Sequence, residues 1–264
     1  MSQTNATEPS PPAAIILAAG KGTRMNSDLP KVCHEIGGRP MVCAVVDACL
    51  AAGCKRVVAV VGYKQELVRE ALAGYSQVEY TVQREQLGTG HAVLCAEPAF
   101  TETDLRRDVF VLCGDGPLIR SETLRAILGV HRERGAAATL ATSVIDDPSG
   151  YGRIVRDGDG RFTGIVEQKN ATEEQLGIRE VNPSYYLFRA GAMFDALNRV
   201  ERNETTGEYY VTDVPSMLAG DGERVEVIEA VPPEDVLSIN TPEQLADVDR
   251  VFRSRGDAGV GGGA

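Results

Sequence analysis

The sequence predicts an α/β fold, a doubly wound and mostly parallel sheet with a smaller β lobe, and three observations carry that expectation. The apolar run 13–18 opens directly into Gly20-Lys21-Gly22, the pattern of a buried strand followed by a glycine loop. The run 56–61, Arg-Val-Val-Ala-Val-Val, lacks polar alternation, as strands covered on both faces do. The apolar segment 109–113 again ends in a turn, Gly114-Asp115, and helical segments alternate with all three.

Taken in order, the chain reads as strand 13–18, helix 41–52, strand 56–61, helix 64–73, strand 78–82, helix 89–96 and strand 109–113. Helix 121–134, with Ser121 as its N-cap, and strand 137–144 complete a right-handed core. From residue 148 the rhythm changes, and strand-like runs at 152–156, 162–167 and 180–188 read as an antiparallel hairpin region, a lobe spanning 148–190. Helices follow at 191–200 and 212–219, then strands at 225–230 and 235–239. Thr241-Pro-Glu-Gln244 is a capping box with proline at the first helical position, which starts the last helix. The domain is placed at 13–255, between a flexible polar leader, 1–12, and a glycine-rich tail, 256–264, expected to be disordered.

At 264 residues the chain can bury a full core, and 43% hydrophobic with 25% charged residues is ordinary for a soluble globular protein. Apolar runs fall well short of the roughly 20 residues of a membrane span, and the leader has neither a basic nor an apolar signal region. A cytoplasmic location is expected. The formal charge of −11 argues against nucleic acid and anionic membranes as partners, so a phosphate ligand needs local cations in a small pocket, with a metal assisting. Six cysteines lie in apolar segments without metal-ligand or disulfide spacing and read as small buried hydrophobes.

Leu17 to Lys31 combines the glycine loop with Lys21, Arg24 and Lys31, a combination suited to phosphates at the carboxyl end of a strand. Gly20 and Gly22 are expected to supply unusual φ angles. The spacing is not that of a Walker A loop, and Met25 stands where a GxGxxG motif needs its third glycine. Asp115, just past a strand, is placed to hold Mg²⁺, although a turn aspartate explains it equally well. Asn240, read as ending the strand 235–239, reaches the same crevice; alone it reads as a helix entry.

Gln83-Arg-Glu-Gln-Leu-Gly-Thr-Gly-His91 offers an amide and a glycine backbone to a planar base, the amide pairing with uracil's donor and acceptor at once. Thr89 doubles as an N-cap there, and His91 reads as a packing residue. Polar groups at 150–154, 167–169 and 181–182 suit a sugar collectively, while each alone is an ordinary hairpin residue. Two aromatics and a hydroxyl in 207–213 read most simply as a capped helix start.

In order, LAAGKGTRM…LPK, QLGTGHA, GDGPLI, GYGRI, VEQK, GEYYVTD and SINTPEQL resemble the N-terminal uridylyltransferase domain of the bifunctional N-acetylglucosamine-1-phosphate uridylyltransferase/glucosamine-1-phosphate acetyltransferase family, over about 13–253. The resemblance implies a Rossmann-like fold of the nucleotide-diphospho-sugar transferase type. It implies that the Ala19 and Gly20 backbone, Gln83, Gly88 and Thr89 bind uridine, and that Arg24 and Lys31 act on the phosphates as the catalytic pair. Gly152, Glu167 and Asn182 would bind the amino sugar, and Asp115 and Asn240 would hold Mg²⁺. Leu17, Lys21, Gly22 and Asn240 complete the substrate-binding set.

The implied substrates are UTP and N-acetylglucosamine 1-phosphate, and the product UDP-N-acetylglucosamine is a peptidoglycan precursor. The alternatives are the same chemistry on glucose or N-acetylgalactosamine 1-phosphate or with dTTP, and a non-catalytic sugar-nucleotide sensor. Three positions depart from the family pattern: Pro183 replaces a small hydroxyl residue, Gly116 a valine and Cys113 an aromatic. The family's C-terminal acetyltransferase, a left-handed β-helix that also makes its trimer, does not follow in this sequence. Uridylyl transfer without acetyl transfer is therefore expected.

Overall fold

The computed structural model describes residues 10–237 and 239–260, the last five by backbone alone. The leader as far as residue 9 and the tail residues 261–264 lie outside the described residues. The strands are β1 (Ala13–Ala18), β2 (Glu35–Ile36), β3 (Arg39–Pro40), β4 (Arg56–Val61), β5 (Val78–Val82), β6 (Asp108–Cys113), β7 (Ala138–Val144), β8 (Gly152–Arg156), β9 (Phe162–Val166), β10 (Glu180–Arg189) and β11 (Val225–Glu229). The helices are α1 (Met41–Ala51), α2 (Gln65–Ala71), α3 (Thr89–Leu94), α4 (Ser121–Arg134), α5 (Glu173–Leu176), α6 (Ala190–Leu197), α7 (Val214–Gly220) and α8 (Pro242–Val260).

The main sheet has the order β11-β7-β10-β6-β1-β4-β5, with β8 and β9 attached through β10. Strands β6, β1, β4 and β5 run parallel, so the chain leaves β1 for one side of the sheet and later returns to its other side. The carboxyl ends of β1 and β6 thus flank the switch point where open sheets of this kind bind ligands. Alternate residues of β1 feed opposite cores: Ala14 and Ile16 pack with α1, α2 and α4, Ala13 and Ile15 with α3, α6 and α7. The uninterrupted apolar strands follow from this double cover. A third cluster, including Met25, Ile36, Met41, Leu118, Ile239 and Val248, seats α8 beside the glycine loop.

Four expectations change. Strand β10 was assigned to the small lobe, but only Val181 and Asn182 pair with β8; from Tyr185 onward the strand lies antiparallel between β6 and β7 in the main sheet. A bulge between Val181 and Tyr185 lets one strand serve both regions. Among the described residues of 235–239 no strand forms, because Pro233–Asp235 makes a 3₁₀ turn and the Asp235 side chain is held by Arg120 and Arg255 instead of the backbone joining a ladder. Ser121 is the first residue of α4, not its cap; its hydroxyl donates to Glu122. Helix α8 continues to Val260, into the segment read as a disordered tail, since a helix once nucleated gains a hydrogen bond with each added residue.

Candidate active site

The glycine loop folds back over Lys31. Gly22 has φ 68°, and a Cβ there would lie 2.6 Å from the Lys31 Cβ, so both conformation and space require glycine. Gly20 has no left-handed φ and nothing within 4 Å of the position its Cβ would take, so its smallness leaves open room and relieves no strain. Gly22→Ala is therefore expected to cost about 1–3 kcal/mol, and Gly20→Ala to leave the melting temperature near that of the wild type. Equal melting temperatures for the two variants would refute this account of the loop.

Lys31 Nζ donates to Asp115 Oδ2 at 2.5 Å and to Asn240 Oδ1 at 2.8 Å, and Arg24 Nη2 donates to the same Asn240 oxygen at 2.8 Å. Asp115 arrives from the end of β6 and Asn240 from the entry to α8. The two are hard oxygen donors, the kind magnesium takes. Among the described residues no group of three or more His, Cys, Asp or Glu is arranged to hold a metal, so phosphates and water would supply the other ligands. Asn240 is anchored by its own N–H, which donates to Gln244 Oε1 at 2.7 Å, while Gln244 N–H donates to Thr241 Oγ1 at 3.3 Å. The capping box thus reaches one residue further back than the sequence pattern implies.

Lys21 is not brought to this cluster. Its ammonium lies 5.3 Å from the centroid of the Tyr63 ring, beside an open depression with Thr23, Asn26, Ser27 and Asp28.

On the other side of the glycine loop is a cavity of about 270 Å³ lined by Leu17, Ala19, Gly20, Gln83, Gly88 and Thr89. Gly88 has φ 104°, and a Cβ on it would fall 2.4 Å from the Tyr209 carbonyl oxygen. The segment 207–213 borders this cavity through Glu208 and is tied to it, Tyr209 N–H donating to Leu87 O and Gly90 N–H to Tyr209 O; it then leads into α7, where Asp213 holds the N-cap position without a side-chain capping bond. Thr89 is no N-cap, since Gly88 holds that position and Thr89 Oγ1 accepts from Val211 N–H at 3.1 Å. Gln83 Nε2 stands 3.1 Å from both Gly88 O and His91 Nδ1. Both contacts hold the amide nitrogen against the protein, an arrangement the sequence expectation of a donor and an acceptor offered together does not include.

Gln86, not singled out from the sequence, also lines the cavity, and its Nε2 donates to Ala19 O at 2.7 Å. Its place three residues after Gln83, in the same strand-to-helix connection, was the available signal.

A larger chamber of about 550 Å³ contains Gly152, Glu167 and Asn182 together with Arg24, Asp115 and Asn240. A narrow cavity of about 40 Å³ links the two spaces, sharing Leu17 and Thr89 with the first and Cys113 and Glu167 with the second. A Cβ on Gly152 would touch Ile165 at 3.0 Å and sit 3.7 Å from Glu167 Oε1, so glycine keeps the floor beside that carboxylate clear. Asn182 Nδ2 donates to the Tyr186 hydroxyl at 2.5 Å, and Asn182 Oδ1 accepts from Ser184 N–H at 3.1 Å.

Pro183 sits in the bulge of β10, where the ladder is interrupted, so its missing N–H removes no pairing. Ser184, with φ 65°, lines the chamber; sequence reasoning passed over it because a bulge leaves no periodic trace. Gly116 and Cys113 line it too. Burial, and then the neighbouring Asp115 carboxylate, pushes the Cys113 thiol up to about 12, which keeps it neutral.

Burial also raises the Glu167 carboxyl above its ordinary value of 4.5, with the Asp213 and Glu208 carboxylates adding to the effect. The folded state therefore holds this proton more tightly than the unfolded chain does. The contribution of Glu167 to stability falls as pH rises from 4.5 through its raised value, and at neutral pH the ionised group is a net cost. Glu167→Gln is expected to melt higher than the wild type at pH 7, with the difference shrinking below pH 4.5. The same variant should raise KM for the ligand of this chamber about tenfold if the carboxylate accepts a hydroxyl. A melting difference that grows on acidification would contradict the assignment.

The comparisons with known proteins bear on this geometry. A family model for the MobA-like NTP transferase domain matches residues 14–208. Among curated proteins, the chain is 48% identical over 243 residues to the bifunctional protein GlmU of Geobacter metallireducens, covering 92% of this chain and 51% of that protein. It is 46% identical to bifunctional protein GlmU of Pelotomaculum thermopropionicum, again over 92% of this chain and 52% of that one. The chain thus spans about half the length of the curated relatives it matches. Among solved structures, a UDP-glucose pyrophosphorylase complexed with UDP-glucose superposes with a TM-score of 0.75 at 17% identity, covering 93% of this chain and 100% of the other. That likeness carries the fold, the nucleotide-diphospho-sugar transferase type that the sequence implies. With the family model matched across most of its length, the chain belongs to the MobA-like NTP transferase domain family and is a nucleotidyltransferase.

Proposed function

We propose that this chain transfers the uridylyl group of UTP to N-acetylglucosamine 1-phosphate, giving UDP-N-acetylglucosamine and pyrophosphate. One observation carries the reading: a base-sized cavity, a cluster of cations and oxygens, and a sugar-sized chamber lie in succession along one crevice at the carboxyl ends of β1 and β6. The curated relatives named bifunctional protein GlmU support it at 46–48% identity.

The reaction needs no protein nucleophile. An oxygen of the sugar phosphate, already anionic at neutral pH, attacks the α-phosphorus in line; the bond from the α-phosphorus to the bridging oxygen breaks and pyrophosphate leaves with the electron pair. The residues align and neutralise. The base enters the cavity of Gln83 and Gly88, and Glu167 with Asn182 orients the sugar through its hydroxyl and amide groups. Arg24 and Lys31, both already bonded to Asn240, stand between the two and offset the phosphate charge. Nucleotidyltransferases generally use a divalent metal. Magnesium held by Asp115 and Asn240 would, when bound, neutralise phosphate oxygens of both substrates.

The chain's formal charge of −11 makes this local cation set necessary for any polyanionic ligand. No helix among the described residues is long and apolar enough to cross a membrane, and we place the reaction in the cytoplasm, where nucleoside triphosphates are made.

The test is pyrophosphate release from UTP and Mg²⁺ with N-acetylglucosamine, glucosamine, glucose and N-acetylgalactosamine 1-phosphates side by side. Preference for N-acetylglucosamine 1-phosphate is the expected result. Preference for glucose 1-phosphate would move the assignment to another sugar, and silence with all four would overturn catalysis.

A further inference from the structure

We propose that His91 is a positioning residue that fixes which edge Gln83 shows to the base and so sets the choice of uracil over cytosine. The inference rests on the base-binding role given above to the Gln83 cavity. The orientation of the amide is decided by the Gly88 carbonyl, 3.1 Å from Gln83 Nε2. A carbonyl oxygen only accepts, so the amide nitrogen, not its oxygen, must face it. The second amide N–H then points at His91 Nδ1, also at 3.1 Å, and that ring atom must carry the lone pair. A neutral imidazole in this state holds its proton on Nε2, which faces the Cys95 sulfur at 3.9 Å, a weak acceptor.

With both N–H groups of the amide engaged, Oε1 is the part of Gln83 left for a ligand, and among the described residues no donor reaches it. Uracil presents N3–H at its pairing edge, whereas cytosine presents a bare N3 there beside an amino group. A fixed acceptor therefore bonds uracil and repels the N3 of cytosine, and a freely turning amide would suit either base. His91 can do this because it lies in the first turn of α3, whose start is held against the 207–213 segment by Gly90 N–H to Tyr209 O at 2.8 Å. Gln83, just past β5, is itself fixed by its N–H to Val61 O at 2.8 Å. The lone histidine is thus more than a packing residue.

The experiment compares kcat/KM for UTP with that for CTP, each with N-acetylglucosamine 1-phosphate and Mg²⁺. In His91→Leu the UTP-to-CTP ratio should fall about tenfold, with kcat at saturating UTP little changed. His91→Gln, which can again place an acceptor against the Gln83 amide, should recover most of the ratio. A wild-type ratio in His91→Leu would overturn the inference, as would a wild-type enzyme that uses CTP as well as UTP. Should the leucine variant fail to fold, nitrogen-15 spectra of the wild-type histidine side chains decide: a bare Nδ1 with protonated Nε2 on His91 is expected, and the opposite tautomer would overturn the role. If the wild type turned over no nucleotide, the proposed function would fall, while the tautomer would still be read in the free protein; the two failures are therefore separable.

Discussion

Asp115→Ala is expected to lower kcat about a thousandfold, equivalent to about 4 kcal/mol of transition-state stabilisation. The carboxylate lies two residues past the end of β6 at the switch point, 2.5 Å from the ammonium of Lys31, and is the one charged oxygen donor of the pair it forms with Asn240. Its loss removes the charged member of a two-residue set, and among the described residues no group of three or more His, Cys, Asp or Glu is arranged to hold a metal in its place. The fold should hardly notice. The Lys31–Asp115 pair keeps 16% and 26% of its side chains exposed, so screening limits its worth to about 1 kcal/mol or less. A large fall in kcat with a nearly unchanged melting temperature is therefore the signature. Turnover close to wild type at limiting Mg²⁺ would sink the assignment, and a collapse of melting temperature would recast Asp115 as structural. Asp115→Asn should be similarly inactive, because it restores the shape without the charge.

Much of this arrangement was legible in the sequence, and the parts that were not share a physical cause. The apolar strands β1, β4 and β6 and the turns that follow them announce themselves, since a strand covered on both faces must be continuously hydrophobic and a glycine such as Gly22 is demanded by a local φ of 68°. Asp115 and Lys31 were readable for the same reason: each sits a fixed, short step beyond such a landmark. Strand β10 was harder. Its first residues pair with β8 and its later ones with β6 and β7, and sequence shows that a segment is extended without showing which neighbours it will take. Asn240 was read both as the end of a strand and as a helix entry, and it lies at the entry to α8, because the turn before it is shaped by side-chain bonds from Arg120 and Arg255, both distant in sequence. Gln83 was picked out without the two contacts its amide nitrogen makes. Whether an amide offers one edge or two depends on where Gly88 O and His91 Nδ1 end up, a matter of loop geometry that residue identity does not encode.

The turn bearing Asn240 leads to the second large effect: Asp235→Ala should destabilise the fold by about 2–3 kcal/mol and also slow turnover. Asp235 is a carboxylate with a side chain only 1% exposed, and it meets Arg120 Nε at 2.5 Å and Nη2 at 2.9 Å and a further guanidinium from Arg255 on α8. Its backbone carbonyl accepts from the Tyr185 hydroxyl at 3.2 Å, and the next carbonyl, that of Val236, accepts from the Tyr151 hydroxyl at 3.0 Å. Four separate parts of the chain, α4's approach, β10, the lobe entry and α8, thus converge on two consecutive residues. Removing the carboxylate leaves the part-exposed Arg120 with Glu234 and Arg255 with the Leu118 carbonyl, so the cost is the loss of three charge-assisted bonds to a buried acceptor and the repulsion between the two guanidinium groups. At about 2–4 °C per kcal/mol for a chain of this size, the melting temperature should drop by about 8 °C. The loss also frees the segment that delivers Asn240 to Lys31 and Arg24, so kcat should fall even below the melting transition, where the protein is still folded. Asp235→Asn separates the two consequences: it keeps the volume and one acceptor, and should recover more of the activity than of the stability. A variant that melts early yet turns over at the wild-type rate would show that the position of Asn240 does not depend on this clamp, and would leave the capping bond from its N–H to Gln244 as the element that holds it.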